Sequence, residues 1–288
     1  MDGATSRVGV HSALWAQQWG TDLAGHIEKA SSLGFNGVEL SLLGIESSNP
    51  ISLAATARDV GVDLKCTTGL SIGNDVSSAD ASIRRAGVDY LRRCSDVVAT
   101  LGADLLTGVI YAPWGTFGSP ESRRERLSWA AESLAGVAPD FADRGITLGI
   151  EAINRFETDL INTAAQATEL ADLIDEPNVG VHLDTFHMNI EERDIDAAVK
   201  TAARRLVHVH VSGSDRGRPV IDRFPWCVFF DALRKADYRE WIGVEMFVQA
   251  EIPVSADLRI WRTIETSPDE AATQARQFIL QRISDANQ

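Results

Sequence analysis

Four side chains able to hold a metal ion recur at nearly even spacing in the second half of this sequence: Glu151, Asp184, His210 and Glu245. Each closes a short apolar run, ITLGIE, VGVHLD, VHVH and IGVE. The steps from 151 to 184, 184 to 210 and 210 to 245 are 33, 26 and 35 residues. A closed barrel of eight strand–helix units takes about 250 residues, or about 31 per unit. The four groups therefore recur once per unit at the carboxyl ends of successive strands, positions that converge on one mouth of a barrel. Three carboxylates and one imidazole form a hard, oxygen-rich set, suited to Mn²⁺, Co²⁺ or Mg²⁺ rather than to a thiolate-bound structural zinc. Without a cation the clustered carboxylates would repel and raise one another's pKa. Taken alone, each acid reads as a strand-end or helix-capping residue; four in register point to one divalent ion.

His182 and His208 lie two residues before Asp184 and His210, so each pair shares one face of its strand. His208 competes with His210 as the ligand. His210 is preferred because it lies nearer the mouth, and His182 reads as a hydrogen-bonded core histidine. The loops after these strands are polar: Asn154, Arg155 and Glu157, then His187 and Asn189, then Ser214, Asp215, Arg216 and Arg218. Such a rim of donors and acceptors suits a polyol. Trp15, Trp19, Trp114 and Phe247 follow the first, fourth and eighth strands, where they could stack on a sugar or pack under a loop.

Positioning these groups requires alternating strands and helices. Strands are predicted at 8–12, 37–42, 62–67, 104–110, 146–151, 179–183, 206–211 and 241–246. Helices are predicted at 22–33, 52–60, 79–101, 120–144, 163–174, 195–205, 226–236 and 268–284, with Thr163 as an N-cap and Gly34, Gly61, Gly102 and Gly145 after helix ends. Eight such units indicate parallel strands with crossover helices, hence α/β class and a (β/α)₈ barrel; an open doubly wound sheet is the alternative. No linker divides the chain, so residues 1–288 read as one domain with a flexible stretch at 1–7.

The chain has 288 residues with 44% hydrophobic content, enough for a large core. Its 27 Lys and Arg against 41 Asp and Glu give a net charge of −14. That field disfavours nucleic acid and anionic membranes and suits a small neutral substrate. Three scattered cysteines, Cys66, Cys94 and Cys227, form no CxxC pair, so neither a disulfide framework nor a thiolate site is expected. A polar N-terminus and no apolar run of about 20 residues give the expectation of a cytoplasmic protein.

The segments GIEAINRFETDLINT, GVHLDTFHMNIEE, HVHVSGSDRGRPV and GVEMF together resemble the ketose 3-epimerases, which act on D-tagatose, D-allulose (D-psicose) or L-ribulose and belong to the xylose-isomerase-like barrels. The resemblance runs from GVHSALW to GVEMF, and LDTFHMNIEE is its most specific element. It implies metal ligands at Glu151, Asp184, His210 and Glu245, acid–base carboxylates at Glu151 and Glu245, and substrate contacts at Glu157, His187 and Arg216. It further matches Trp114 and Cys66 to pocket positions. Where many members carry tyrosine in the first strand this chain has His11, which resembles the L-ribulose 3-epimerase branch and leaves the preferred sugar open. The implied cofactor is one divalent ion, Mn²⁺ first, with Co²⁺ or Mg²⁺ as alternatives. The implied assembly is a homodimer or homotetramer.

The implied chemistry is inversion at C3 of a free ketose. A cation on O2 and O3 would polarise the carbonyl and stabilise the enediolate while one glutamate removes the C3 proton and the other returns one from the opposite face. The nearest rival is an aldose–ketose isomerase of the hydroxypyruvate-isomerase kind on the same barrel. A metal-dependent AP endonuclease would need a basic groove and more than the six histidines present. A non-catalytic sugar-binding barrel would have no need of both glutamates, and no GxGxxG follows a strand to suggest NAD.

Overall fold

The computed structural model describes residues 7–220 and 223–287. The expected flexible stretch at 1–7 falls, apart from Arg7, outside the described residues. Eight parallel strands follow one another in chain order and close into a barrel: β1 (Val8–His11), β2 (Gly37–Ser41), β3 (Asp63–Leu70), β4 (Leu105–Pro113), β5 (Thr147–Glu151), β6 (Val179–Asp184), β7 (Leu206–Val211) and β8 (Ile242–Val244). Val8, Gly9 and Val10 pair with Ile242, Gly243 and Val244, which closes the ring and excludes the open sheet.

The strands are almost wholly buried because helices cover the outside of the barrel. These are α1 (Leu23–Ser32), α2 (Pro50–Val60), α3 (Ala81–Leu101), α4 (Arg123–Ala135), α5 (Ala138–Ala142), α6 (Ala164–Ile174), α7 (Thr185–Glu191), α8 (Ile195–Ala202), α9 (Trp226–Lys235), α10 (Pro253–Asp257) and α11 (Pro268–Ala286). Thr163 caps α6 as expected, in a reciprocal box with Gln166. The single helix expected over 120–144 is instead a short 3-10 turn followed by α4 and α5. Pro139 has no N–H to continue the ladder and its ring opposes the carbonyl four residues back, so the chain breaks at Gly136 and Val137.

The bottom of the barrel is plugged by Trp241. A Cβ at Gly9 or Gly37 would meet its ring at 2.2 or 2.3 Å, so the absence of side chains there is what admits the indole. Lys65 Nζ lies 5.0 Å from the centre of that ring. The lumen is thus filled below and open only at the carboxyl ends of the strands, where the polar residues gather. No helix among the described residues is long and apolar enough to cross a membrane.

Candidate active site

Glu151 ends β5, Asp184 ends β6, His210 is the penultimate residue of β7 and Glu245 directly follows β8. One donor atom from each lies within 4.8 Å of the others. Sequence spacing therefore selected four groups that the barrel brings to one point, with charge and donor type suited to a divalent cation. Asp184 also caps α7, its Oδ1 accepting from Phe186 N at 2.6 Å, which leaves Oδ2 facing the cluster. The short helix α7 was not expected; it carries His187 back over the mouth.

His210 is held in one orientation. Its Nε2 is 2.5 Å from Glu39 Oε2, while its Nδ1 lies 3.6 Å from Glu245 Oε2 and 3.9 Å from Asp184 Oδ2. His208 pairs deeper in the barrel with the other oxygen of Glu39. Of the two histidines, His210 is the one that faces the carboxylates. His182 is a core histidine as expected: Thr107 donates its hydroxyl to the Gly149 carbonyl and so accepts from His182 Nδ1 at 2.9 Å.

Burial opposes ionisation throughout this cluster, and neighbouring charges decide the outcome. Burial, reinforced by Glu245 and Asp184, pushes Glu151 well above the usual carboxylate range. Burial also opposes ionisation of Glu245, but His210 and Arg216 overcome it and hold the carboxyl well below that range. Two like groups are thus driven apart, one toward the acid and one toward the carboxylate form. Glu39 is likewise held low, its burial outweighed by His208 and His210. His210 is raised well above the usual imidazole value because Glu39 and Glu245 outweigh burial.

Above the cluster lies an open pocket of about 620 Å³. Its polar lining includes His11, Ser41, Thr67, Glu151, Glu157, His187, Arg216 and Glu245; Trp19, Leu43, Val109, Trp114, Ile153, Phe247 and Leu258 give it an apolar wall. That mixture fits a polyol, whose C–H faces need apolar cover and whose hydroxyls need partners. The backbone N–H of Asn154 donates to His187 Nδ1 at 3.1 Å. Its Nε2 lies 3.0 Å from Arg216 Nη2, a group that can only donate. Burial, then the Arg216 charge, lowers His187 to about 3, so it is neutral at ordinary pH. His187 and Arg216 therefore stand side by side in the pocket lining.

Glu157 is occupied on both oxygens, accepting from Asn154 Nδ2 at 2.6 Å and from Trp114 Nε1 at 2.8 Å. It ties the Trp114 wall to the Asn154–His187 pair. His11 accepts from Ala13 N on Nδ1, so its Nε2–H donates to Thr67 Oγ1 at 2.8 Å. Thr67 keeps its own hydroxyl proton for a ligand.

One expectation is corrected. Cys66 does not line the pocket: it is fully buried in the hydrophobic core and feels Cys94 of α3. Its strand neighbour Thr67 bonds to His11 across the lumen, and alternation turns residue 66 outward. Of the two alternatives for Trp15 the structure has packing: it is absent from the pocket lining and its indole donates to Asp269 at the start of α11. Glu39 and Thr67 were missed as site residues. For Glu39 the available signal was a charged residue between Val38 and Leu40 in an otherwise buried strand.

The sequence profile of the xylose isomerase-like TIM barrel matches residues 27–281. The L-ribulose 3-epimerase of Methylomonas sp. is 33% identical over 95% of this chain and 96% of its own length. The D-psicose 3-epimerase of Agrobacterium fabrum is 34% identical over 91% and 92%. A crystal structure of D-psicose 3-epimerase in the presence of D-fructose superposes with a TM-score of 0.92 at 31% identity, covering 96% of this chain and 99% of that one. A structure of L-ribulose 3-epimerase also reaches 0.92, at 32% identity over 98% and 96%. The chain is a carbohydrate isomerase of the xylose isomerase-like barrel class, and within that class it belongs to the ketose 3-epimerase family.

Proposed function

We propose that this enzyme inverts C3 of a free ketose, with L-ribulose first among the candidates and D-allulose/D-fructose and D-tagatose as the others. The reading is carried by one observation: two glutamates from opposite parts of the ring, Glu151 and Glu245, meet Asp184 and His210 at the floor of an amphipathic pocket. Bound among these four donors, a divalent cation, Mn²⁺ first and Co²⁺ or Mg²⁺ next, supplies the Lewis acidity that makes a C3 proton removable.

Glu151 and Glu245 come from strands three steps apart around the ring, so they can address C3 from two faces. One removes the proton and the other returns one, their order set by the configuration of the epimer bound. His187 and Arg216 hydrogen-bond the C1–C3 oxygens and stabilise the negative charge that spreads over them when the proton leaves. Glu157 sets the direction of Trp114 and of Asn154, hence of His187. Thr67 supplies a hydroxyl beside His11, where this chain departs from the common tyrosine. A homodimer or homotetramer is part of the proposal; exposed Phe117, Phe156 and Trp261, on loops after β4, β5 and β8, support it. Light scattering after size exclusion tests the assembly.

A panel of ketoses, assayed with chelator-stripped enzyme and single added metals, tests the reaction. The expected product is another ketose only; an aldose on chromatography would identify an isomerase moving the proton between C1 and C2 instead.

Cation uptake should also release protons. Glu151 and His210 both hold protons above their ordinary ranges in the free site, and both must be bare to act as ligands. Affinity for Mn²⁺ is therefore expected to be weakest in acid. It should rise as pH climbs from above the usual carboxylate range through and beyond the usual imidazole value. Calorimetry in buffers of different ionisation enthalpy should count one to two protons released per ion; a count of zero, with affinity flat over that span, contradicts the assignment.

A further inference from the structure

The floor of the site holds a buried carboxylate that the proton-transfer scheme does not use. Glu39, on β2, is fully buried and reaches across the lumen to β7. Its Oε2 is 2.5 Å from His210 Nε2 and its Oε1 pairs with His208 Nε2. A carboxylate has two acceptor oxygens; here one is hydrogen-bonded to His210 and the other lies in close ion-pair contact with His208. Lys65, the nearest lysine in the lumen, faces Asp104 and Glu240 instead. An isolated buried carboxylate is costly, so one retained with only histidine partners calls for a reason.

The reason lies in the tautomer of His210. A neutral imidazole has one N–H and one lone pair. With Nε2–H given to Glu39, the lone pair falls on Nδ1, the atom that faces Glu245 at 3.6 Å and Asp184 at 3.9 Å. Gly243 on β8 leaves the room for this arrangement: a Cβ there would sit 2.8 Å from His210 Cδ2 and 3.2 Å from Glu39 Oε2. His182 cannot take over the role of Glu39, because it presses edge-on against His210 with ring centres 4.2 Å apart and its own Nδ1 is engaged with Thr107.

We infer that Glu39 is a positioning residue for the cation: it fixes His210 with its proton on Nε2, so that Nδ1 is the ligand atom, and His208 holds the carboxylate in place from its other oxygen. The inference rests on the proposed cation reading of the four-residue cluster. Partners of this kind orient a ligating imidazole and raise its basicity, and their loss weakens metal affinity by about 10- to 100-fold.

Glu39→Gln tests it with little change in shape. A glutamine offers one acceptor and one amide donor, so it cannot receive both N–H groups; one histidine must change tautomer or lose its partner. Co²⁺ alone is the probe, titrated against a competing chelator and followed by its visible absorption. The expected result is a Kd raised about 10- to 100-fold and a shifted absorption band, with an unchanged circular dichroism spectrum. In wild-type protein loaded with Zn²⁺, nitrogen-15 NMR of the histidines should show His210 protonated at Nε2 and metallated at Nδ1, which holds as a test even if the variant does not fold. Equal Co²⁺ affinity and spectrum in Glu39→Gln, or Zn²⁺ on Nε2 in the wild type, overturns the inference alone. A wild-type protein that takes up no Co²⁺ overturns it together with the cation reading.

Discussion

Glu151→Gln and Glu245→Gln are each expected to lower kcat for C3 epimerisation by about 10²- to 10⁴-fold through lost proton transfer alone, while the barrel stays folded. Both side chains sit at the mouth, beyond the packed lumen, and glutamine keeps their volume, so secondary structure by circular dichroism should not change. An amide neither takes nor returns the C3 proton, and it is a weaker cation ligand. The two variants should nevertheless differ. Each retains one carboxylate and so one face of C3. In deuterium oxide each is expected to exchange the C3 hydrogen of a single epimer without inverting it, and the two variants should choose opposite epimers. In the free site Glu151 is pushed toward the acid form and Glu245 toward the carboxylate, so the two groups differ before a cation binds. Undiminished turnover in either variant, or exchange of both epimers by one of them, would remove the two-carboxylate scheme.

The four-residue cluster was legible because each of its members stands at or next to a strand end, and strand ends can be read from short apolar runs without any knowledge of contacts. Closure of the ring was not legible in that way: it depends on pairing Val8 with Ile242, far beyond the reach of any local pattern. Glu39 shows the same limit at the site. Its partner His210 is 171 positions away, and nothing around GVELS says that a histidine waits across the lumen. Cys66 shows a subtler one. Its pocket position was implied by the resemblance alone, and the strand's period of two turns residue 66 outward and Thr67 inward. The helix expected over 120–144 failed at Pro139, where the covalent chemistry of proline overrides an otherwise continuous amphipathic pattern.

Arg216→Leu should separate the two kinds of positive charge that this site can use. The guanidinium is buried; its Nη1 donates to Asp184 Oδ2 and to Glu245 Oε2, both at 2.8 Å, and the Phe186 ring packs 4.0 Å from its Cζ. Its backbone adopts φ of 68°, an unfavourable conformation for a side-chain-bearing residue, kept by Arg216 N on the Gly213 carbonyl and Phe247 N on its own. Removing one partner of a buried ion pair costs about 3–5 kcal/mol. With leucine there, Asp184 and Glu245 lose the guanidinium that bonds to both of them. The chelator-treated variant should therefore melt well below chelator-treated wild type, and saturating Mn²⁺ should recover much of the difference, since the ion neutralises the same carboxylates. Turnover should fall by about 10²-fold, the loss expected for one donor to developing oxygen charge, because Arg216 carries no proton to C3. The decisive quantity is the gap in Tm between chelated and Mn²⁺-loaded protein, which should be wider in Arg216→Leu than in wild type. An equal gap in both would mean that arginine and cation do not act on the same carboxylates, and Asp184 and Glu245 would then have to be reassigned from ligands to partners of the arginine.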